Sequence, residues 1–203
     1  MALLQSLLVG NNQLVVPIDG QSLTLSQAIG LAEQRRKAGQ AREANHIFNQ
    51  LLMQAAGWHR EKRLDDAEAV YRQVFEAEPE YIDALHLLGV IYSQRGDYQT
   101  AERLIRQALW ENPSADTYHN NLGRALQGLG RLEEAAASYQ RALELNPSHA
   151  MACNNLGRVF LDLGRKPEAI ASFRRAVALR PDYAEACSNL ERALQRQVED
   201  GAS

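Results

Sequence analysis

Apolar and small side chains return at spacings of three and four, and that whole pattern then returns every 34 residues. The clearest copy is 116–149, numbered here as positions 1 to 34. Leu122, Gly123 and Leu126 mark one face in it, and Ala135, Tyr139 and Ala142 mark another. Residues three and four apart share a side of an α-helix, so each copy predicts two amphipathic helices. Gly130 separates them and Pro147 closes the second, as glycine and proline punctuate helical segments. The register is strict: Ala67, Ala101, Ala135 and Ala169 are 34 apart, as are Gly89, Gly123 and Gly157, and Pro79, Pro113, Pro147 and Pro181. Positions 24 and 27 pair bulk with clearance: Tyr71 with Val74, Ile105 with Ala108, Tyr139 with Ala142, Phe173 with Ala176. A small residue at position 8 is expected to face the small one at 20. Each proline is expected to end one helix with the next starting directly after it, on Ser114, Ser148 and Asp182 as N-caps. Pro167 fits the first turn of a helix, where its missing N–H does no harm.

Ahead of the regular copies, Thr24 and Gln27 form a capping-box signature that predicts a helix over 25–37, with Leu25, Ala28, Ile29 and Ala32 as its stripe. Gly39 breaks it. Ala44 and Phe48 then match positions 20 and 24, but Ala44 precedes Ala67 by 23 residues, 11 short of a period. One long helix over 41–63 is expected to close one helix pair and open the next, with Gly57 as a weak point. Leu14, Val15 and Val16 read as a short extended piece ending in a turn at Asp19-Gly20. Residues 1–10 are apolar but lack a basic flank and a cleavage signature, so they do not read as an export signal. Leu3, Leu4, Leu7, Leu8 and Val9 would leave apolar surface needing cover, the basis for a docking or self-association role. No run approaches the length of a membrane span.

A 34-residue helix-turn-helix unit with Leu-Gly at 7 and 8, Ala at 20, Tyr at 24, Ala at 27 and Pro at 32 resembles the tetratricopeptide repeat (TPR). The resemblance implies an all-α, right-handed TPR solenoid. Its segments are an irregular leader (1–24), degenerate leading helices (25–47), four repeats (48–81, 82–115, 116–149, 150–183), a solvating helix (184–198) and a tail (199–203). Position 8 of the final helix is Glu191 where the repeats carry glycine, so no further helix needs to approach it.

Charge adds little direction: the formal net charge is −3 and the isoelectric point about 6.0, so nothing global points to nucleic acid. Cys153 and Cys187 fall at position 4 of successive repeats, about 8–10 Å apart by helix packing, which is too far for a disulfide. They read as reduced thiols, compatible with a cytoplasmic setting. His119 completes that column, but the same separation rules out one shared metal. No phosphate loop, catalytic constellation or cofactor motif is present, and the expectation is a non-enzymatic protein with no cofactor. Paired carboxylates such as Asp65-Asp66 and Glu133-Glu134 sit where second helices begin and favour the helix dipole.

In the family the first helices line a concave groove, and positions 2, 5, 6, 9, 12 and 13 face it. The resemblance therefore nominates Asn120 and Asn154 with His86 at position 5, Asn121, Asn155 and Asn189 with Leu87 at position 6, and Arg124, Arg158 and Arg192 with Val90 at position 9. Asparagine offers both a donor and an acceptor to a peptide backbone, and arginine a fork for carboxylates. The asparagine column is similar to that in the TPR arm of O-linked N-acetylglucosamine transferases. The expected partner is a protein or peptide with acidic groups, not nucleic acid or membrane. Three readings stay open: an adaptor, a substrate-recruiting arm of a separate glycosyltransferase or sulfotransferase, and a scaffold whose leader makes a homo-oligomer. The alternative for the asparagines and arginines alike is repeat consensus that hydrogen-bonds the neighbouring helix and contacts no ligand.

Overall fold

The computed structural model describes residues 14–201, with side chains to 195. The fold is an all-α helical-repeat solenoid, and the chain divides into two compact units, 1–91 and 92–203.

Among the described residues the first unit begins with a hairpin, where an irregular leader was expected. Strands β1 (Val15–Ile18) and β2 (Gln21–Thr24) pair antiparallel around Asp19 and Gly20. Both turn residues take positive φ, 49° and 78°, the two-residue geometry whose twist matches a hairpin. Val16 and Ile18 are buried. Helix α1 (Leu25–Lys37) starts as the sequence predicts: Gln27 N–H donates to Thr24 Oγ1 at 3.2 Å, and Thr24 N–H to Gln27 Oε1 at 2.8 Å. The expected long helix is α2 (Ala41–Arg60), ending three residues earlier than predicted, just before Lys62 turns left-handed at φ 65°. It packs on both α1 and α3 (Leu64–Ala77), burying Ala44, Ile47, Phe48, Leu51, Ala55 and Trp58. One helix thus does the work of two, which is how the chain loses 11 residues without losing a packing layer. Arg36 Nε lies 2.9 Å from the buried Glu78 carboxylate, an ion pair not aligned as a hydrogen bond. Helix α4 (Ile82–Gln94) runs across the division between the units. The expected docking role of Leu3 to Val9 lies outside the described residues.

The second unit contains α5 (Tyr98–Glu111), α6 (Asp116–Gly128), α7 (Leu132–Leu145), α8 (Ala150–Asp162), α9 (Lys166–Leu179) and α10 (Ala184–Gly201). Consecutive helices pack on one another, and first helices also touch the next first helix, α6 with α8 and α8 with α10. Tyr139, Phe173, Ile105, Ala108, Ala142 and Ala176 are fully buried, as the columns at 24 and 27 predict.

Two packing expectations are corrected. The nearest neighbour of position 8 is the aromatic at 24, not the alanine at 20: a Cβ on Gly123 would sit 2.8 Å from the Tyr139 ring, and one on Gly157 2.6 Å from the Phe173 ring. The glycines give room to the aromatic at 24, one helical turn from the alanine. The first helices also start three residues after each proline, so Ser114, Ser148 and Asp182 are not the caps. The N-cap before α6 is Ala115, without a side-chain bond, and the one before α8 is His149, whose Nδ1 accepts from Ala152 N–H at 3.3 Å. Pro167 occupies the first turn of α9 as expected.

Candidate functional site

Helices α6, α8 and α10 present equivalent positions side by side, and their amides are knitted together. Asn155 Nδ2 donates to Asn120 Oδ1 at 3.1 Å, and Asn189 Nδ2 donates to Asn154 Oδ1 at 2.9 Å. Position 6 of each helix thereby bonds to position 5 of the one before. Asn154 is fully buried and also donates to Glu185 Oε1 at 3.3 Å and Tyr183 Oη at 3.4 Å. Asn120 and Asn189 are 5% exposed. Position 5 therefore acts between helices, because a buried amide without partners is costly and the adjacent helix is where its partners lie. Asn121 and Asn155 are half-buried. On α4, His86 and Val90 are buried and Leu87 is half-buried.

Position 9 behaves differently. Arg158 and Arg192 are exposed and Arg124 is half-buried. Arg192 Nη2 donates to Asn189 Oδ1, and Arg158 Nη1 stands 3.7 Å from Glu185. Arg124 Nη2 is buried with no hydrogen-bond partner. Burial lowers the pKa of the Arg124 guanidinium from its ordinary value, while Tyr139 and Tyr98 nearby act the other way. Burial likewise holds the Tyr139 phenol well above its usual range.

Two hollows adjoin this row. One, about 300 Å³, is lined by Ser93, Tyr98, Arg124, Gln127, Tyr139, Asn155 and Arg158 among others. The other, about 210 Å³, is lined by Arg158, Leu161, Asp162, Asn189 and Arg192. Arg158 lines both, and the row of hollows along α6, α8 and α10 is the trough. Gln127, which lines the larger hollow, donates through Nε2 to Oδ2 of Asp162, which lines the smaller, at 3.0 Å.

Ser93, Tyr98 and Gln127 did not stand out in the sequence. Ser93 and Gln127 both sit at position 12, a groove-facing position in the family, so reading that column would have found them. Tyr98 belongs to a second helix and carries no such signal.

Cys153 is buried and Cys187 half-buried, both as free thiols, and burial pushes the Cys153 thiol up. Among the described residues no group of three metal-ligating side chains converges, and no helix is long and apolar enough to cross a membrane.

Tetratricopeptide repeat family models match residues 59–126 and 120–184, together more than half of the chain. Human tetratricopeptide repeat protein 7B is 28% identical over 106 residues, which are 50% of this chain and 13% of that protein. The solved structure of MamA superposes with a TM-score of 0.62 at 22% identity, covering 76% of this chain and 85% of that one. The first TPR of Spaghetti (RPAP3), bound to the HSP90 peptide SRMEEVD, superposes with a TM-score of 0.56 at 23% identity, covering 59% and 94%. With the 34-residue helix pairs, the glycine-aromatic contacts and these matches in agreement, the chain belongs to the tetratricopeptide repeat family.

Proposed function

We propose that this protein is a non-enzymatic interaction module that takes an extended segment of a partner protein along the trough on α6, α8 and α10. The carrying observation is the division of labour between adjacent columns. The asparagines at position 5 are spent on holding the first helices together, whereas the arginines at position 9 line the two hollows. Rigid amide bonding below and adaptable charge above suit recognition of a peptide, whose backbone supplies polar groups along its whole length. The peptide seen in the Spaghetti (RPAP3) structure supports the class of ligand by analogy of fold. Acidic residues in the partner suit the three guanidiniums, and Glu185 and Asp162 limit how many.

The test is capture of partners from lysate, identified by mass spectrometry, by the wild type and by Arg124→Glu/Arg158→Glu/Arg192→Glu. The triple variant is expected to lose the captured proteins while keeping the helical circular-dichroism spectrum. Undiminished capture would remove the groove from consideration.

A further inference from the structure

Helix α10 keeps an apolar side that the rest of the described fold does not cover. It repeats the register of the first helices, with Cys187, Leu190 and Leu194 at positions 4, 7 and 11. Spacings of three and four put these side chains on one side of the helix, away from Arg192. In the repeat before, Cys153, Leu156 and Phe160 hold the same positions and are 1%, 6% and 5% exposed where α8 packs on α9. Leu122 and Leu126 are buried likewise in α6, which packs on α7. On α10, which packs on α8 and α9, Ala186, Asn189 and Ala193 are buried, while Cys187, Leu190 and Leu194 stand half-buried. The stripe is a first-helix surface, and among the described residues no second helix follows to cover it.

The chemistry of the stripe selects its cover. In the repeats the second helix seats an aromatic, Tyr139 or Phe173, against the glycine at position 8. Helix α10 has Glu191 there, exposed beside the stripe, so a helix that brings an aromatic finds no seat. An aliphatic segment without acidic groups fits instead, with leucines to lie against Cys187, Leu190 and Leu194 and nothing to repel the Glu191 carboxylate. Residues 1–10 offer one. They hold Leu3, Leu4, Leu7, Leu8 and Val9, and the chain has no Phe, Tyr or Trp before Phe48 and no charged side chain before Asp19. Residues 11–14 tie that segment to β1, a tether of about 14 Å at full extension. Strand β1 packs on α1 and α2 in the first unit, whereas α10 packs on α8 and α9 in the second. The tether thus fixes the segment to the hairpin of its own chain and sets no limit on its meeting α10 of another.

From these observations we infer that the Cys187–Leu190–Leu194 side of α10 is a docking surface for residues 1–10 of a second copy of this chain. The contact is heterologous, so every copy offers one donor and one acceptor and association runs head to tail. The stripe is small beside a permanent interface, which makes the assembly concentration-dependent. It lies on the opposite side of α10 from Arg192 and is separate from the trough.

Sedimentation velocity on two variants of the whole chain, alone and mixed, tests the direction of the contact. Leu3→Gln/Leu4→Gln/Leu7→Gln/Leu8→Gln removes the donor, and Leu190→Gln/Leu194→Gln removes the acceptor. Wild type is expected to gain mass as its concentration rises and each variant to stay monomeric. Their mixture is expected to form a 1:1 complex of about twice the monomer mass, since one donor and one acceptor remain between them. Association of the acceptor variant by itself would mean that leaders meet leaders, and association of the donor variant by itself that α10 meets α10; either overturns the proposal. A wild type that stays monomeric overturns it as well, and leaves the stripe to its own leader or to a different protein. Alkylation of Cys187 gives an answer even if the acceptor variant fails to fold. In wild type its rate should fall about twofold or more from dilute to concentrated protein, and in the donor variant it should stay constant. A wild-type rate indifferent to concentration would overturn the docking surface.

Discussion

Adding one methyl group should have opposite effects at two glycines of this chain. In Gly157→Ala the new Cβ would meet three Phe173 ring atoms at 2.6, 2.7 and 2.9 Å. Phe173 is fully buried, so its ring can retreat only by displacing the packing around it. Overpacking of this kind costs about 1–3 kcal/mol. Alanine returns about 1 kcal/mol of helix propensity, leaving a net loss of up to about 2 kcal/mol. In Gly30→Ala, within α1, nothing lies within 4 Å of the new Cβ and only the propensity gain applies. For a chain of this size 1 kcal/mol moves the thermal midpoint by about 2–4 °C. The expectation is a fall of up to about 8 °C for Gly157→Ala and a rise of about 2–4 °C for Gly30→Ala by differential scanning calorimetry. Phe173→Leu should soften the first effect, so Gly157→Ala costs less in that background. A Gly157→Ala midpoint at or above wild type would refute the claim that these glycines exist to admit the aromatic at position 24.

Further outcomes follow from the same packing. Asn154→Ala leaves the buried Asn189 amide without its acceptor and should cost about 1–3 kcal/mol in urea unfolding; adding Asn189→Ala should cost less than the sum of the two. Burial pushes the Tyr71 phenol up to about 12, and its hydroxyl has no partner. The folded state therefore holds that proton more tightly than the unfolded chain, and the associated stability is present below about pH 10 and is lost as pH rises toward 12. Tyr71→Phe should flatten part of that alkaline fall in midpoint and leave neutral-pH stability unchanged or slightly higher. Arg36→Ala strands the Glu78 carboxylate, whose side chain is 12% exposed, and should destabilise the first unit by about 1–3 kcal/mol in chemical denaturation.

Helix α1 was legible to the residue because Thr24 and Gln27 specify its start by local bonding alone. The long helix α2 was legible for a different reason: a register short by 11 residues leaves room for only one helix where two are needed. The hairpin was half legible. Asp19-Gly20 announces the turn, but Gln21–Thr24 is too polar to show the alternation of a strand. Spacing could not decide what faces Gly123, since positions 20 and 24 lie one turn apart on the same helix face and only packing selects Tyr139. His149 capped a helix where serine was expected because the start of α8 is set by the turn after Pro147, which displaces Ser148 from the cap. At the candidate site the columns of asparagine and arginine were visible, but their roles were not. Whether an amide faces a ligand or the next helix depends on how closely α8 and α10 approach, a distance that no single helix encodes.

If partners meet the trough, the surface that must stay silent is the one marked by Trp110, an 85% exposed indole on α5. A photo-crosslinking amino acid placed at Leu161, which lines the trough, and separately at Trp110 asks the question directly. Irradiation of the loaded complex is expected to give partner adducts from position 161 and none from position 110. Adducts from position 110 alone would contradict binding in the trough.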